Sequence, residues 1–393
     1  MKTPYFIIDE SELEKNIVKL ENALNQYWSN CIIGYSFKTN ALPYLLGYMR
    51  NRGIYAEVVS ENEFYLAHKL GFKTEDIIYN GPVKGKESFL KGLEAGAIVN
   101  IDSNQEIVWL QELKPDKDYS IGIRVNFDLE KYCPGETSGG NEGSRFGFCY
   151  ENGELKAVIE KLQRMEHIKI AGIHLHNSTK TRSVNVYKKI ARMACEIEQK
   201  FYLNLKYVDI GGGFFGGLEN KPQFDEYIRV ISEELKKSFS DKSTKLIVEP
   251  GTSIISSPVD FVTSVLDVKR TTRNNFLVTD GSRINIDPLM RKKGYFWEVE
   301  YGNQEHREII PKQIVSGFTC MENDRLFKLE NEKELQAGDR IIYKKVGAYT
   351  MCLTPLFIQY FPSVYWKNQN GIICVRESWT EENYIQNSVW EDQ

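Results

Sequence analysis

The sequence predicts an α/β protein: a (β/α)8 barrel followed by a mostly β second domain. Three observations carry that expectation. Eight apolar, β-branched segments alternate with amphipathic helical segments through residue 251. Near residue 256 the pattern changes to short alternating segments separated by turns, with little helical period. Eight strand–helix units close naturally into a barrel, with a doubly wound open sheet as the competing architecture. The expected limits are 11–256 for the barrel, and 1–10 with 257–393 for the β-rich domain.

The elements follow in order. "PYFIID" opens the chain as a strand and is assigned to the second domain, which makes that domain discontinuous. "ESELEKNIVKLENALNQ" then reads as an amphipathic helix. The eight barrel strands are "CIIGYSFK", "YAEVVS", "DIIYNG", "AIVNID", "SIGIRVN", "KIAGIHLHNS", "YVDIGGG" and "KLIVEPG". Near-continuous apolar runs of this kind belong to a parallel sheet covered on its outside. The first ends on Lys38, with a short helix expected from Ala41. Residues 128–146, "DLEKYCPGETSGGNEGSRF", form a long Gly-rich loop after the fifth strand; such loops are usually functional or mobile.

Composition excludes several classes. The 393 residues are 41% hydrophobic and 26% charged, with a net charge of −4, so nothing favours a nucleic-acid partner. No apolar run is long enough to span a bilayer, and "MKTPYFIIDE" lacks a signal-peptide core. A cytoplasmic chain is expected. Seven cysteines, an odd number without a C-x-x-C pair, argue against disulfides or a metal site.

A barrel carries its active site at the C-terminal ends of its strands. Here those ends are too polar for a core: Lys38, Glu57, Asn80, Asp102, Arg124, His174, His176, Gly211, Gly212, Gly213 and Glu249. The glycine run can cradle a phosphate or simply form a tight packing turn. An amine, a phosphate cradle and an opposing acid are together what pyridoxal 5'-phosphate requires, with Lys38 as the Schiff-base former.

The motifs also carry a resemblance, covering residues 4 to about 365. "YSFKTN", "AEVVSENE", "SRFGF", "HLHNST", "DIGGGF", "EPG", "GFTCMEND" and "GAYT" occur in the order found in the fold-type III pyridoxal-phosphate decarboxylases. That group includes diaminopimelate, ornithine/arginine and carboxynorspermidine decarboxylases, with alanine racemase a more distant relative. The resemblance implies pyridoxal phosphate held by Lys38, Glu57, Arg124, His176, Thr179, Gly211 to Gly213, Glu249, Gly251 and Tyr349. It also implies Cys320 as proton donor from the partner subunit of a head-to-tail homodimer with shared active sites. His176 would stack on the ring, and Asp324 would sit beside Cys320.

Departures from the pattern bear on substrate. Thr252 follows "EPG" where diaminopimelate enzymes usually carry Arg, and Asp287 precedes Pro288 where they carry another Arg. Met321, then Glu322, follow the motif cysteine. Glu322, Asp324 and Asp287 are therefore the candidate substrate contacts. The expected activity is decarboxylation of a diamino acid or a related amino acid, free or carrier-tethered, in a specialised biosynthetic pathway. The alternatives are diaminopimelate decarboxylation in lysine biosynthesis, an amino-acid racemase, and a non-catalytic cofactor-binding protein.

Overall fold

Residues two apart along a strand face the same side of a sheet, and this rule organises the first unit of the protein. The computed structural model describes residues 1–303 and 306–390. After β1 (Tyr5–Asp9) come parallel strands β2 (Cys31–Ser36), β3 (Tyr55–Val58), β4 (Ile77–Tyr79), β5 (Ile98–Ile101) and β6 (Tyr119–Asn126). A two-residue strand, β7 (Phe148–Cys149), branches from β6. β8 (Ile168–His174), β9 (Tyr207–Asp209) and β10 (Lys245–Val248) complete the set. Pairing of β5 with β6 and of β10 with β2 closes β2–β6 and β8–β10 into an eight-stranded parallel barrel.

The period of two sorts the inward residues into layers. Ile32, Ile78, Tyr207 and Ile247 form an apolar cluster, with Tyr55 and Ile98 packed against it. Two residues further along each of these strands stand Gly34, Glu57, Asn80, Asn100, Asp209 and Glu249. The inner wall thus turns from apolar to polar toward the strands' C-terminal ends. Gly122 and Gly172 make room for the Tyr207 ring: a Cβ at either would lie within 2.2 Å of its atoms.

Serines switch the chain from strand to helix. Ser60, Ser103 and Ser183 each accept a backbone N–H at the start of the helices Glu61–Lys69, Asn104–Trp109 and Val184–Phe201. Such caps satisfy donors that the first helical turn leaves open. β2 ends at Ser36, earlier than the sequence suggests, and Lys38 lies on a 3-10 turn, Phe37–Thr39. The next helix begins at Pro43 rather than Ala41, because proline lacks the N–H that the first turn cannot use.

The chain divides into two compact units: Asn16–Ser253, and Met1–Lys15 with Ile254–Gln393. The second unit is built on β11 (Val259–Arg270), β12 (Asn275–Thr279), β13 (Phe296–Glu300), β14 (Ile309–Ser316), β15 (Arg325–Lys333), β16 (Arg340–Lys344), β17 (Ser363–Asn368) and β18 (Gly371–Arg376). Its strand order is β15-β14-β12-β11-β1-β17-β18, and β16 pairs with both β11 and β13. β1 enters this sheet antiparallel to β11 and parallel to β17. Among the described residues no helix is long and apolar enough to cross a membrane.

Asp287 and Asp324, expected as substrate contacts, lie in this second unit, and both are buried with their oxygens taken. Asp287 accepts from the Arg283 guanidinium at 3.0 and 3.1 Å, from the N–H groups of Arg291 and Lys292, and from Tyr295 Oη. Asp324 accepts from Ser282 Oγ, Arg283 N, Thr319 N and Thr319 Oγ1. A buried carboxylate bonded in this way fixes the loops around it.

Candidate active site

The 3-10 turn after β2 presents Lys38 with its side chain 37% exposed, and its Nζ lies 2.6 Å from Glu57 Oε2. Glu57 is buried and also accepts from Ser36 Oγ at 2.5 Å and Asn80 Nδ2 at 3.1 Å. The same Asn80 nitrogen donates to Glu249 Oε1 at 2.5 Å. The turn that carries Lys38 abuts the end of β10. Ser36 N–H donates to Pro250 O, and a Cβ at Gly251 would lie 2.1 Å from Thr39 Oγ1.

Glu249 sits among buried groups: His174 Nε2 is 3.4 Å from its Oε2, and Asp209 lies alongside. Burial opposes ionisation of Glu249. The His174 ring, Lys38 and a hydrogen bond from Asp209 outweigh burial and hold Glu249 well below the usual carboxylate range. Burial, then the charge of Glu249, push Asp209 strongly upward. Its Oδ2 is buried without a hydrogen-bond partner. Two adjacent buried acids resist ionising together, and the opposite shifts favour the charge on Glu249 over Asp209.

His176 extends the same face beyond β8. Its Nδ1 accepts the Gly212 N–H at 3.3 Å, which requires an unprotonated nitrogen. Burial also lowers its basicity, with Arg124 acting in the same direction. The glycines serve both readings of their run. A Cβ at Gly211 would meet the His176 ring at 2.4 Å, and one at Gly212 would meet Glu249 O at 1.9 Å. Gly211 N–H donates to Asp209 Oδ1. Packing therefore accounts for Gly211 and Gly212, whereas the Gly213 amide takes part in neither bond.

Arg124 on β6 is fixed by Asp102 Oδ2 at 2.8 Å. Arg124 and His176 line a cavity of about 1130 Å³ whose remaining wall is largely the Gly-rich loop. The loop is stitched down. Thr137 bridges to Thr179, Ser138 N–H donates to Ser178 O, and Lys180 N–H donates to Glu136 O.

The first unit thus gathers Lys38, Glu57, Arg124, His176, Gly211 to Gly213, Glu249 and Gly251, with Thr179 on the loop after β8. Cys320, Glu322 and Tyr349 belong to the second unit. Cys320 is exposed, Glu322 pairs with Arg325 at 2.9 Å, and Tyr349 holds a left-handed φ of +55°. Sequence reading assigned no role to Ser36, Asn100, Tyr207 or Asp209. Their signal was a polar side chain inside an apolar strand.

The first unit fits pyridoxal phosphate on its own chemistry: an accessible amine, a buried ionised acid beyond it, an uncharged imidazole and a glycine turn. Comparison with known proteins agrees. The diaminopimelate decarboxylase of Aquifex aeolicus is 25% identical over 360 residues, spanning 90% of this chain and 83% of the relative. That of Archaeoglobus fulgidus is 27% identical, spanning 88% and 83%. The crystal structure of the M. jannaschii diaminopimelate decarboxylase superposes with a TM-score of 0.87 at 20% identity, over 100% of this chain and 93% of that one, and so shares its fold. The arginine decarboxylase of Paramecium bursaria Chlorella virus gives 0.76 at 18%, over 93% and 96%. Residues 11–256 match the family described as "Pyridoxal-dependent decarboxylase, pyridoxal binding domain", and the chain belongs to that family of pyridoxal-phosphate-dependent carboxy-lyases.

Proposed function

We propose that this chain removes the α-carboxylate of an amino acid bearing a second ionisable group at its far end, with diaminopimelate the first substrate to test. The observation that carries the reading is the single hydrogen-bonded line from Lys38 through Glu57 and Asn80 to Glu249. It spaces an amine and a buried acid across one pocket. When bound there, pyridoxal phosphate supplies the sink for the electron pair of the breaking Cα–carboxylate bond. Lys38 would hold its aldehyde end, with Glu57 available to take and return the lysine proton. Glu249, held ionised, would serve the ring nitrogen, and an uncharged His176 would contact the ring without competing for charge. Arg124, Thr179, Gly213, Gly251 and Tyr349 remain proposed cofactor contacts, and Cys320 the proposed proton donor.

The curated relatives named above support diaminopimelate. A different diamino acid is favoured by one observation: Asp287 stands where an arginine is usual and is consumed by Arg283, so that position offers no charge to a distal carboxylate. The test is carbon dioxide release by the purified protein with pyridoxal phosphate. The panel is meso-diaminopimelate, ornithine, lysine, arginine and carboxylated polyamines. Turnover of diaminopimelate alone selects the first reading, and turnover of another member selects the second. Inversion at Cα without carbon dioxide would replace both with a racemase. Silence across the panel, without inversion, would count against catalysis of this class.

A further inference from the structure

One amide joins the two acids of the site. Asn80 Nδ2 donates one hydrogen to Glu57 Oε1 at 3.1 Å and the other to Glu249 Oε1 at 2.5 Å. A relay behind Asn80 supports the same orientation that the two acids require. Asn80 Oδ1 accepts from Asn100 Nδ2 at 2.8 Å, and Asn100 Oδ1 accepts from Tyr207 Oη at 2.8 Å. Tyr207 is seated in the apolar layer, burial keeps its phenol protonated, and its O–H donates to Asn100 Oδ1. That donation turns the Asn100 amide so that its NH2 faces Asn80. Asn80 must then offer oxygen to Asn100 and both hydrogens to the acids. All of these groups except Lys38 are buried.

We propose that Asn80 is a positioning residue that sets the distance between the acid holding Lys38 and the acid at the far end of the cofactor pocket. The inference rests on the pyridoxal-phosphate reading of this pocket. Its physical content is specific. Two carboxylates within reach of one nitrogen repel each other, and a neutral donor with two hydrogens is the group that holds both without adding charge. The cofactor is rigid, so the partners at its two ends have to be spaced in advance. An aspartic acid in this place carries at most one proton and can satisfy only one of the two acids.

The experiment compares wild type, Asn80→Asp and Asn80→Ala as holoenzymes. It reads the pyridoxal-phosphate dissociation constant and the pH midpoint of the bound cofactor's visible band. Circular dichroism of the cofactor-free protein checks the fold. The expected result is folded variants whose dissociation constant rises about tenfold or more. The band midpoint should also move by about one pH unit or more in Asn80→Asp, and less in Asn80→Ala. A residue that merely stiffens the barrel would leave that midpoint in place. Folded variants with the wild-type constant and midpoint overturn the inference while leaving the cofactor assignment standing. Failure of both variants to fold also overturns it, since Asn80 would then serve the barrel rather than the pocket. The cofactor reading fails separately, if wild type itself binds no pyridoxal phosphate.

Discussion

Lys38 Nζ and Glu57 Oε2 lie 2.6 Å apart, one side chain partly exposed and the other buried. A lysine in this position has a proton acceptor at hand, as its proposed role toward an aldehyde requires. Glu57 remains bonded to Ser36 and Asn80 when the lysine engages elsewhere. The pair can therefore separate without stranding a buried charge.

Replacement of Lys38 by Ala should remove the visible band of the bound cofactor and all carbon dioxide release. Glu57→Gln keeps the shape but turns one of the two acceptor oxygens into a donor, so it loses the proton acceptor together with part of the hydrogen bonding from Ser36, Lys38 and Asn80. Its rate should fall by about 100-fold or more, the usual scale for a lost acid–base group. Absorbance spectra and initial rates check both. A full rate in Glu57→Gln would remove Glu57 from proton handling.

Acid should weaken the cofactor-free protein partly through His176. Burial, with help from Arg124, lowers its folded pKa below the unfolded value of 6.5. The unfolded chain then binds the extra proton, so this contribution is fully present above 6.5 and is lost as pH falls through the folded value. Melting temperature from pH 7.5 down to 4.5 should decline less steeply in His176→Asn than in wild type. Parallel slopes would sink the assignment.

Two glycines should respond in opposite directions to alanine. Gly47 lies in the helix Pro43–Asn51, and a Cβ there meets nothing within 4 Å. Gly47→Ala should stabilise by about 0.5–1 kcal/mol through helix propensity. Gly212→Ala places a Cβ 1.9 Å from Glu249 O, and should destabilise by about 2–4 kcal/mol as the turn shifts. Denaturant melts of both variants give the comparison.

Asp287→Ala tests the structural role of a residue that sequence reading placed at the substrate. Removing it strands the partly buried Arg283 guanidinium and two loop N–H groups. The expected loss is about 3 kcal/mol of stability, with KM for the active substrate unchanged in the folded fraction. A raised KM at unchanged stability would return Asp287 to the substrate.

Much of this was legible in the residues. The alternation of apolar strands with helices predicts the closed barrel, because parallel strands buried on both faces read as continuous apolar runs. Lys38, Glu57, His176 and Glu249 stand out as polar groups where those runs end. The surroundings of Asp287 and Asp324 were not legible for a definite reason. A carboxylate near a motif looks alike in sequence whether its oxygens are open or saturated, and only folding shows that Arg283 and Thr319 reach them.

By itself the sequence determined which face each barrel residue takes, since the strand period of two is a local property of the backbone. It determined, too, that the polar residues collect at one end. Which of them meet was decided by closure and stagger. Asn80 on the strand after Glu57 touches Glu249 from the last strand, and Asn100 touches Tyr207, 107 positions away. Such contacts depend on how each strand is offset from its neighbours around the ring, and hydrogen bonding across the whole barrel sets that offset.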